Sequence, residues 1–261
     1  MTESRNASGQ VSDWRDIARL LDHALLHPTM TPADMKAALE GLKDWPLASV
    51  CIKPPAVALC KAVLDSGSGG VATGTVIGFP AGSNRPDVKA FETQRAIADG
   101  AGEVDMVVNV GAVLGGEWDA VRDDIAAVLK AARDGGALLK VIFETDYVTA
   151  EPDKVRLCEI CTELGVDFVK TSTGFGFVKQ PGGGMGYTGA TEADLKLMCK
   201  HSGEAVGVKA SGGVRTVDDC LMCIAAGCTR IGTGSSEAIL KEAVKRYGGE
   251  LPAGGASGEG Y

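Results

Sequence analysis

The chain has 261 residues, 45% of them hydrophobic, and a formal net charge of −8. That is enough for one continuous core at the upper end of single-domain size. The acidic balance disfavours nucleic acid and anionic lipid, which need clustered Lys and Arg, and points to a small metabolite as partner; no window approaches the ~18 consecutive apolar residues of a membrane helix.

The polar start, MTESRNASGQVSDWRD, has neither the basic segment nor the apolar stretch of a secretory signal. A cytoplasmic location is expected, with the eight cysteines held as reduced thiols. Residues 1–12 and 250–261 read as flexible tails around a single domain at 13–249. Within it, short β-branched runs alternate with longer helical patterns closed by glycine, the rhythm of βα units and a parallel sheet. The spacing predicts strands near Leu20–Ala24, Ser49–Lys53, Gly74–Phe79, Glu103–Val108, Leu138–Glu144, Asp167–Ser172, Ala205–Ala210 and Thr229–Gly232. Eight such units favour a closed (β/α)8 TIM barrel in the α/β class over an open doubly wound sheet, an alternative the pattern alone leaves standing.

The pairs Cys158 with Cys161 and Cys220 with Cys223 have C-x-x-C spacing, but each lies inside a helical pattern, KVRLCEICTEL and VDDCLMCIAAG. Residues three apart on a helix share a face, so core packing is the reading preferred over a zinc or redox site. Between the sixth predicted strand and its helix, FVKQPGGGMGYT (Phe177–Thr188) reads as a loop insertion, and it lacks the G-K-[ST] ending of a phosphate-binding P-loop.

Charged residues embedded in strand runs are the candidates for chemistry, because barrel enzymes place their sites at the C-terminal strand ends. They are Asp22, Asp105, Lys140, Lys170 and Lys209. Any one lysine could lie at a strand edge and reach water along its stem. Three on successive strands, with Asp105 on the strand before, converge on one barrel mouth. Crowded, partly buried ammonium groups disfavour one another's charge, so at least one should be a free amine near neutral pH. A free amine forms a Schiff base with a carbonyl, and the iminium draws electrons from a neighbouring carbon–carbon bond without a metal. Asp105 beside Lys140 would relay the protons. His23, His27 and His201 form no metal-ligand cluster, and His23 and His27 read as structural or solvent-facing. There is no G-x-S-x-G turn, and Cys51 reads as packing.

Glycines and hydroxyls follow the last three predicted strands in Ser172–Gly174, Ser211–Arg215 and Gly232–Ser236, where barrel loops bind phosphate through backbone N–H groups. Arg215 has two readings of equal weight, on such a phosphate or on a nearby helix carboxylate.

The segments EVDMVVNVG, LLKVIFET, DFVKTSTGFG, VGVKASGGVRT and RIGTGSS resemble, in order, the strand signatures of the deoxyribose-phosphate aldolase family, over roughly Leu20 to Ala238. The resemblance implies that Lys170 is the Schiff-base lysine, Lys209 the lysine that depresses its pKa, and Asp105 with Lys140 the proton relay. It places Asp22 near the substrate hydroxyls, and Gly174, Gly212, Gly213, Gly232 and Ser235 at phosphate-loop positions. It implies reversible cleavage of 2-deoxy-D-ribose 5-phosphate to glyceraldehyde 3-phosphate and acetaldehyde, with no cofactor and no metal, in a homo-oligomer, taken as a dimer. Some members end in a tyrosine that assists proton transfer; Tyr261 stands there, with a terminus of no role as the alternative. The sequence departs from the family at Ala24, where a threonine is usual, at Lys53 and Gly234, and in the longer Phe177–Thr188 insertion, which bear on selectivity and phosphate affinity. Another Schiff-base aldolase, a sugar-phosphate-binding barrel without catalysis and a metal-dependent epimerase are the competing readings.

Overall fold

The computed structural model describes residues 11–180 and 182–252. Its elements run in the order α1 (Trp14–Ala18), β1 (Leu21–Leu25), α2 (Pro32–Leu42), β2 (Ser49–Ile52), α3 (Val57–Leu64), β3 (Ala72–Ile77), α4 (Pro86–Ala98), β4 (Glu103–Val107), α5 (Val110–Leu114), α6 (Trp118–Asp134), β5 (Leu138–Ile142), α7 (Glu151–Leu164), β6 (Phe168–Lys170), β7 (Val178–Lys179), β8 (Met185–Gly186), α8 (Glu192–His201), β9 (Gly207–Ser211), α9 (Val217–Ala225), β10 (Arg230–Thr233) and α10 (Ser236–Tyr247). Among the described residues, β1 to β6, β9 and β10 close a barrel in which every neighbour is parallel. The eight expected strands are all present, shifted by at most a few residues.

Local chemistry sets the boundaries. Thr31 with Asp34 and Thr216 with Asp219 form capping boxes that start α2 and α9, and Gly165, at φ 75°, ends α7 in the left-handed conformation. β6 is shorter than its apolar run suggested; just before it, Asp167 accepts Leu139 N with its carboxylate at 2.8 Å while its carbonyl accepts Gly207 N at 2.9 Å. The insertion differs from expectation: it is a two-stranded antiparallel hairpin, β7 with β8, rather than a plain loop. Val11 and Leu251, in segments read as tails, are partly buried against the core.

The main apolar core fills the space between barrel and helices. Cys158 and Cys161 from α7, and Cys220 and Cys223 from α9, are buried in it, which agrees with the packing reading. Inside the barrel, by contrast, the register carries charge. Asp105 pairs with Lys140, Lys170 with Lys209, and Lys209 with Arg230 across adjacent strands. Strand side chains alternate in and out, so these cross-strand neighbours share the inner face.

Two buried polar contacts outside the barrel tie elements together. Lys89 on α4 is fully buried; its ammonium donates to Val107 O at 2.8 Å and to Asp124 of α6 at 2.6 Å. His23, on the outer side of β1, meets Ser236 Oγ at the start of α10 through Nδ1 at 2.9 Å, and burial pushes its pKa down to about 4.

Each contact generates a prediction. Asp124→Asn strands a buried ammonium and should lower the urea unfolding free energy by about 3 kcal/mol, whereas the double change Lys89→Met with Asp124→Leu should recover most of the loss; equal losses in both variants would contradict this role. His23 must stay neutral in the fold but takes a proton near pH 6.5 once unfolded. Its contribution is therefore intact above pH 6.5 and is lost as pH falls toward 4, by on the order of 3 kcal/mol. His23→Asn, which keeps a polar atom near Nδ1 without titrating, should flatten that part of the stability–pH curve.

Candidate active site

The inner face of the barrel holds four cations against three carboxylates. Lys140 Nζ lies 3.0 Å from Asp22 Oδ2, 2.9 Å from Asp105 Oδ1 and 2.6 Å from Glu103 Oε2. Lys209 Nζ donates to Asp105 Oδ2 at 2.8 Å and also to Asp22. Lys170 Nζ donates to the same Asp105 Oδ2 at 2.9 Å. Beneath them, Arg230 reaches Asp22 at 2.7 Å and Glu103 at 3.0 Å, and its guanidinium lies 5.2 Å from the centre of the Phe168 ring. Ser49, the cross-strand partner of Asp22, donates its hydroxyl to that carboxylate.

This array sorts the protonation states. Burial opposes charge on Lys140, but Asp105, Asp22 and Glu103 outweigh it and hold the ammonium well above the usual lysine range. Burial likewise opposes ionisation of Asp105 and Asp22, yet the surrounding cations keep both well below the usual carboxylate range. Lys170 goes the other way. Burial lowers its pKa, Lys209 adds to the effect, and the single carboxylate of Asp105 does not restore it. Lys170 is thus shifted down while Lys140 is held as a cation.

Above the charges opens a cavity of about 300 Å³. Lys170, Lys209 and Asp22 reach it; Lys140 and Asp105 are fully buried below. Its far end is formed by the loops after β6, β9 and β10 and includes all five expected anion-loop positions, Gly174, Gly212, Gly213, Gly232 and Ser235. At Gly232 a Cβ would come within 3.0 Å of Lys209 Cε, so glycine there clears the lysine stem. Cys51 lines the wall, and burial pushes its thiol up to about 12, which makes it a packing group and not a nucleophile.

Of the departures, Ala24 and Gly234 line the cavity, whereas Lys53 turns away to donate to Met30 O at 2.7 Å. His27, expected to be structural or solvent-facing, also lines the cavity, with Nδ1 2.7 Å from Thr29 Oγ1. Arg215 donates from its guanidinium to Tyr187 Oη at 3.1 Å, while its main-chain N–H meets the helix carboxylate of Asp219 at 2.9 Å. Tyr261 lies outside the described residues.

Sequence reading missed Glu103, Arg230 and Glu144. The first two share strand parity with Asp105 and Gly232, so alternation was a usable signal. Glu144 has φ 57°, rare for a side chain of that size, and its carboxylate takes both the N–H and the hydroxyl of Thr173 in the β6 loop. A charged residue held at a strained strand end has no sequence signature.

This chain is 44% identical over 248 residues to the deoxyribose-phosphate aldolase of Rhodopirellula baltica, covering 94% of this chain and 98% of the relative. It is 48% identical over 225 residues to that of Bacillus cereus, covering 86% and 95%. Among solved structures, QR15, an aldolase, superposes with a TM-score of 0.79 at 33% identity, over 89% of this chain and 97% of that one. The deoxyribose phosphate aldolase of Aeropyrum pernix, described as tetrameric, gives 0.77 at 27% identity, over 89% and 92%. The family model for DeoC/LacD family aldolases matches residues 17–242, nearly the whole barrel. By fold, by the charged barrel interior and by this match, the chain belongs to the DeoC/LacD family of aldolases.

Proposed function

We propose that this chain is a class I aldolase that reversibly cleaves 2-deoxy-D-ribose 5-phosphate to D-glyceraldehyde 3-phosphate and acetaldehyde through a Schiff base on Lys170. The observation that carries this reading is the unequal charge set. Three carboxylates neutralise three cations, and the fourth, Lys170, sits at the cavity floor with one carboxylate contact and a lowered pKa. A neutral amine is the nucleophile the chemistry needs.

In this reading the Lys170 amine adds to C1 of the open-chain sugar, and loss of water gives an iminium. The C2–C3 bond breaks as the C3 hydroxyl loses its proton, its electrons flowing into the iminium. Glyceraldehyde 3-phosphate leaves, and the enamine takes a proton at C2 and is hydrolysed to acetaldehyde. Asp105, backed by Lys140 at 2.9 Å, accepts and returns the protons. Lys209 keeps Lys170 neutral. Asp22 is the carboxylate offered to the sugar hydroxyls, and the loops that carry Gly174, Gly212, Gly213, Gly232 and Ser235 receive the phosphate. No cofactor enters. No helix among the described residues is long and apolar enough to cross a membrane; a cytoplasmic homo-oligomer, taken as a dimer, is part of the same proposal, as is a helper role for Tyr261.

Mixing the protein with deoxyribose 5-phosphate and borohydride, in the presence of chelator, should leave an ethyl group on Lys170 in a peptide map. No adduct on a folded, substrate-bound protein would point instead to a non-catalytic sugar-phosphate barrel. Lys170→Leu should cut turnover at least about a thousandfold with the fold retained, and retained turnover would remove Lys170 from the role. Lys209→Leu deletes a positive neighbour, which favours the Lys170 ammonium. The pH profile of imine formation should therefore move upward, by about one unit.

A further inference from the structure

The β7–β8 hairpin is the part of the chain that the proposed chemistry leaves without a task. Its base is fastened to the barrel rim at three points. Asp146 accepts Thr188 N at 2.6 Å and Gly189 N at 3.3 Å, and Tyr147 Oη accepts Phe177 N at 2.9 Å. Gly189 lies so close to the β9 loop that a Cβ there would come within 2.4 Å of Gly212 O, and Ala190 N donates to that same oxygen at 3.0 Å. The residue just before this fastened stretch is Tyr187. It lines the cavity beside the glycine loops, and its hydroxyl accepts Arg215 Nη2 at 3.1 Å.

Arg215 is otherwise an exposed side chain on the cavity rim. A free guanidinium carries about 2 kcal/mol of rotamer entropy, which it must surrender to grip an anion. A tyrosine hydroxyl at the fastened base of a hairpin removes part of that cost before substrate arrives. Resting on the aldolase reading above, we propose that Tyr187 is a positioning residue that aims Arg215 at the substrate phosphate, so that the hairpin sets the preference for phosphorylated over unphosphorylated sugars. A phenol also accepts from the guanidinium without neutralising it, whereas a carboxylate in its place would cancel the charge offered to the phosphate.

The hairpin as a merely structural strap predicts something different: loosening it should harm both kinds of sugar alike. The test compares wild type, Tyr187→Phe, Arg215→Met and the double variant, with 2-deoxyribose 5-phosphate and with 2-deoxyribose as substrates. Removing one hydrogen bond to a charged group should raise KM for the phosphate ester roughly three- to tenfold in Tyr187→Phe, with kcat changed less than twofold. Specificity for 2-deoxyribose should not move, and the tyrosine change should add nothing in the Arg215→Met background. An unchanged KM for the phosphate ester, an equal loss on both sugars, or a loss that adds to that of Arg215→Met would overturn the proposal. Borohydride trapping on the wild type separates the two levels. With the ethyl adduct present, those outcomes count against Tyr187 alone; without it, the aldolase reading falls and this proposal with it.

Discussion

Asp105 sits sealed inside the barrel with one oxygen on Lys140 and the other shared by Lys170 and Lys209. An isolated carboxylate at such a site would be neutral, because burial penalises its charge by several kcal/mol. It stays ionised only because cations meet it on both sides, and those cations are stable only because Asp22 and Glu103 meet them in turn. The interior is thus one interdependent array. A contact between unit charges is worth about 4 kcal/mol before desolvation at the effective dielectric of a protein, so the number of carboxylate partners decides which base yields its proton. Lys140 has three, Arg230 and Lys209 have two each, and Lys170 has one. Lys170 is the least compensated of them and, with Lys209, it opens to the cavity.

Barrel interiors are ordinarily filled by branched aliphatic layers. Here charged side chains take part of that interior, and the main apolar core lies between the barrel and the helices. Parallel strands with register such as Asp105 to Lys140 and Lys170 to Lys209 hold the charges in a stack. A slip by one residue would turn every charge into the apolar layer behind. The loops above are held as firmly. Glu144, at its strained φ, clamps Thr173, and Thr173 Oγ1 accepts Phe175 N at 2.9 Å, so the protein's own hydrogen bonds brace the wall after β6.

Much of this was legible in the sequence for a physical reason: a charge inside a β-branched run contradicts its surroundings and stands out. Asp22, Asp105, Lys140, Lys170 and Lys209 all announce themselves that way, and the glycines that let loops approach one another stand out by composition. Glu103 and Arg230 were harder because they open their strands, where a charge reads as an ordinary boundary residue. Only the closed register brings them under Asp22 and Lys140. Arg215 was undecidable locally, since its partner Tyr187 lies 28 residues away inside a glycine-rich insertion. Period and composition speak to neighbours along the chain; they carry no information about which loops face each other across a cavity.

Arg230 gives the array a further property. A guanidinium does not deprotonate in a protein, so it helps to hold Asp22 as an anion, and Asp22, Asp105 and Glu103 together hold Lys140 as a cation. With those charges fixed, the balance inside the barrel turns on Lys170. Under the proposed reading, a neutral Lys170 leaves three cations against three carboxylates, and conversion to the iminium adds a fourth positive charge beside Lys209. Cleavage of the carbon–carbon bond turns that iminium into a neutral enamine and restores the balance. The same excess that keeps Lys170 a free amine therefore also pushes the iminium toward bond breaking, so one charge imbalance serves both the formation of the nucleophile and the step that follows it.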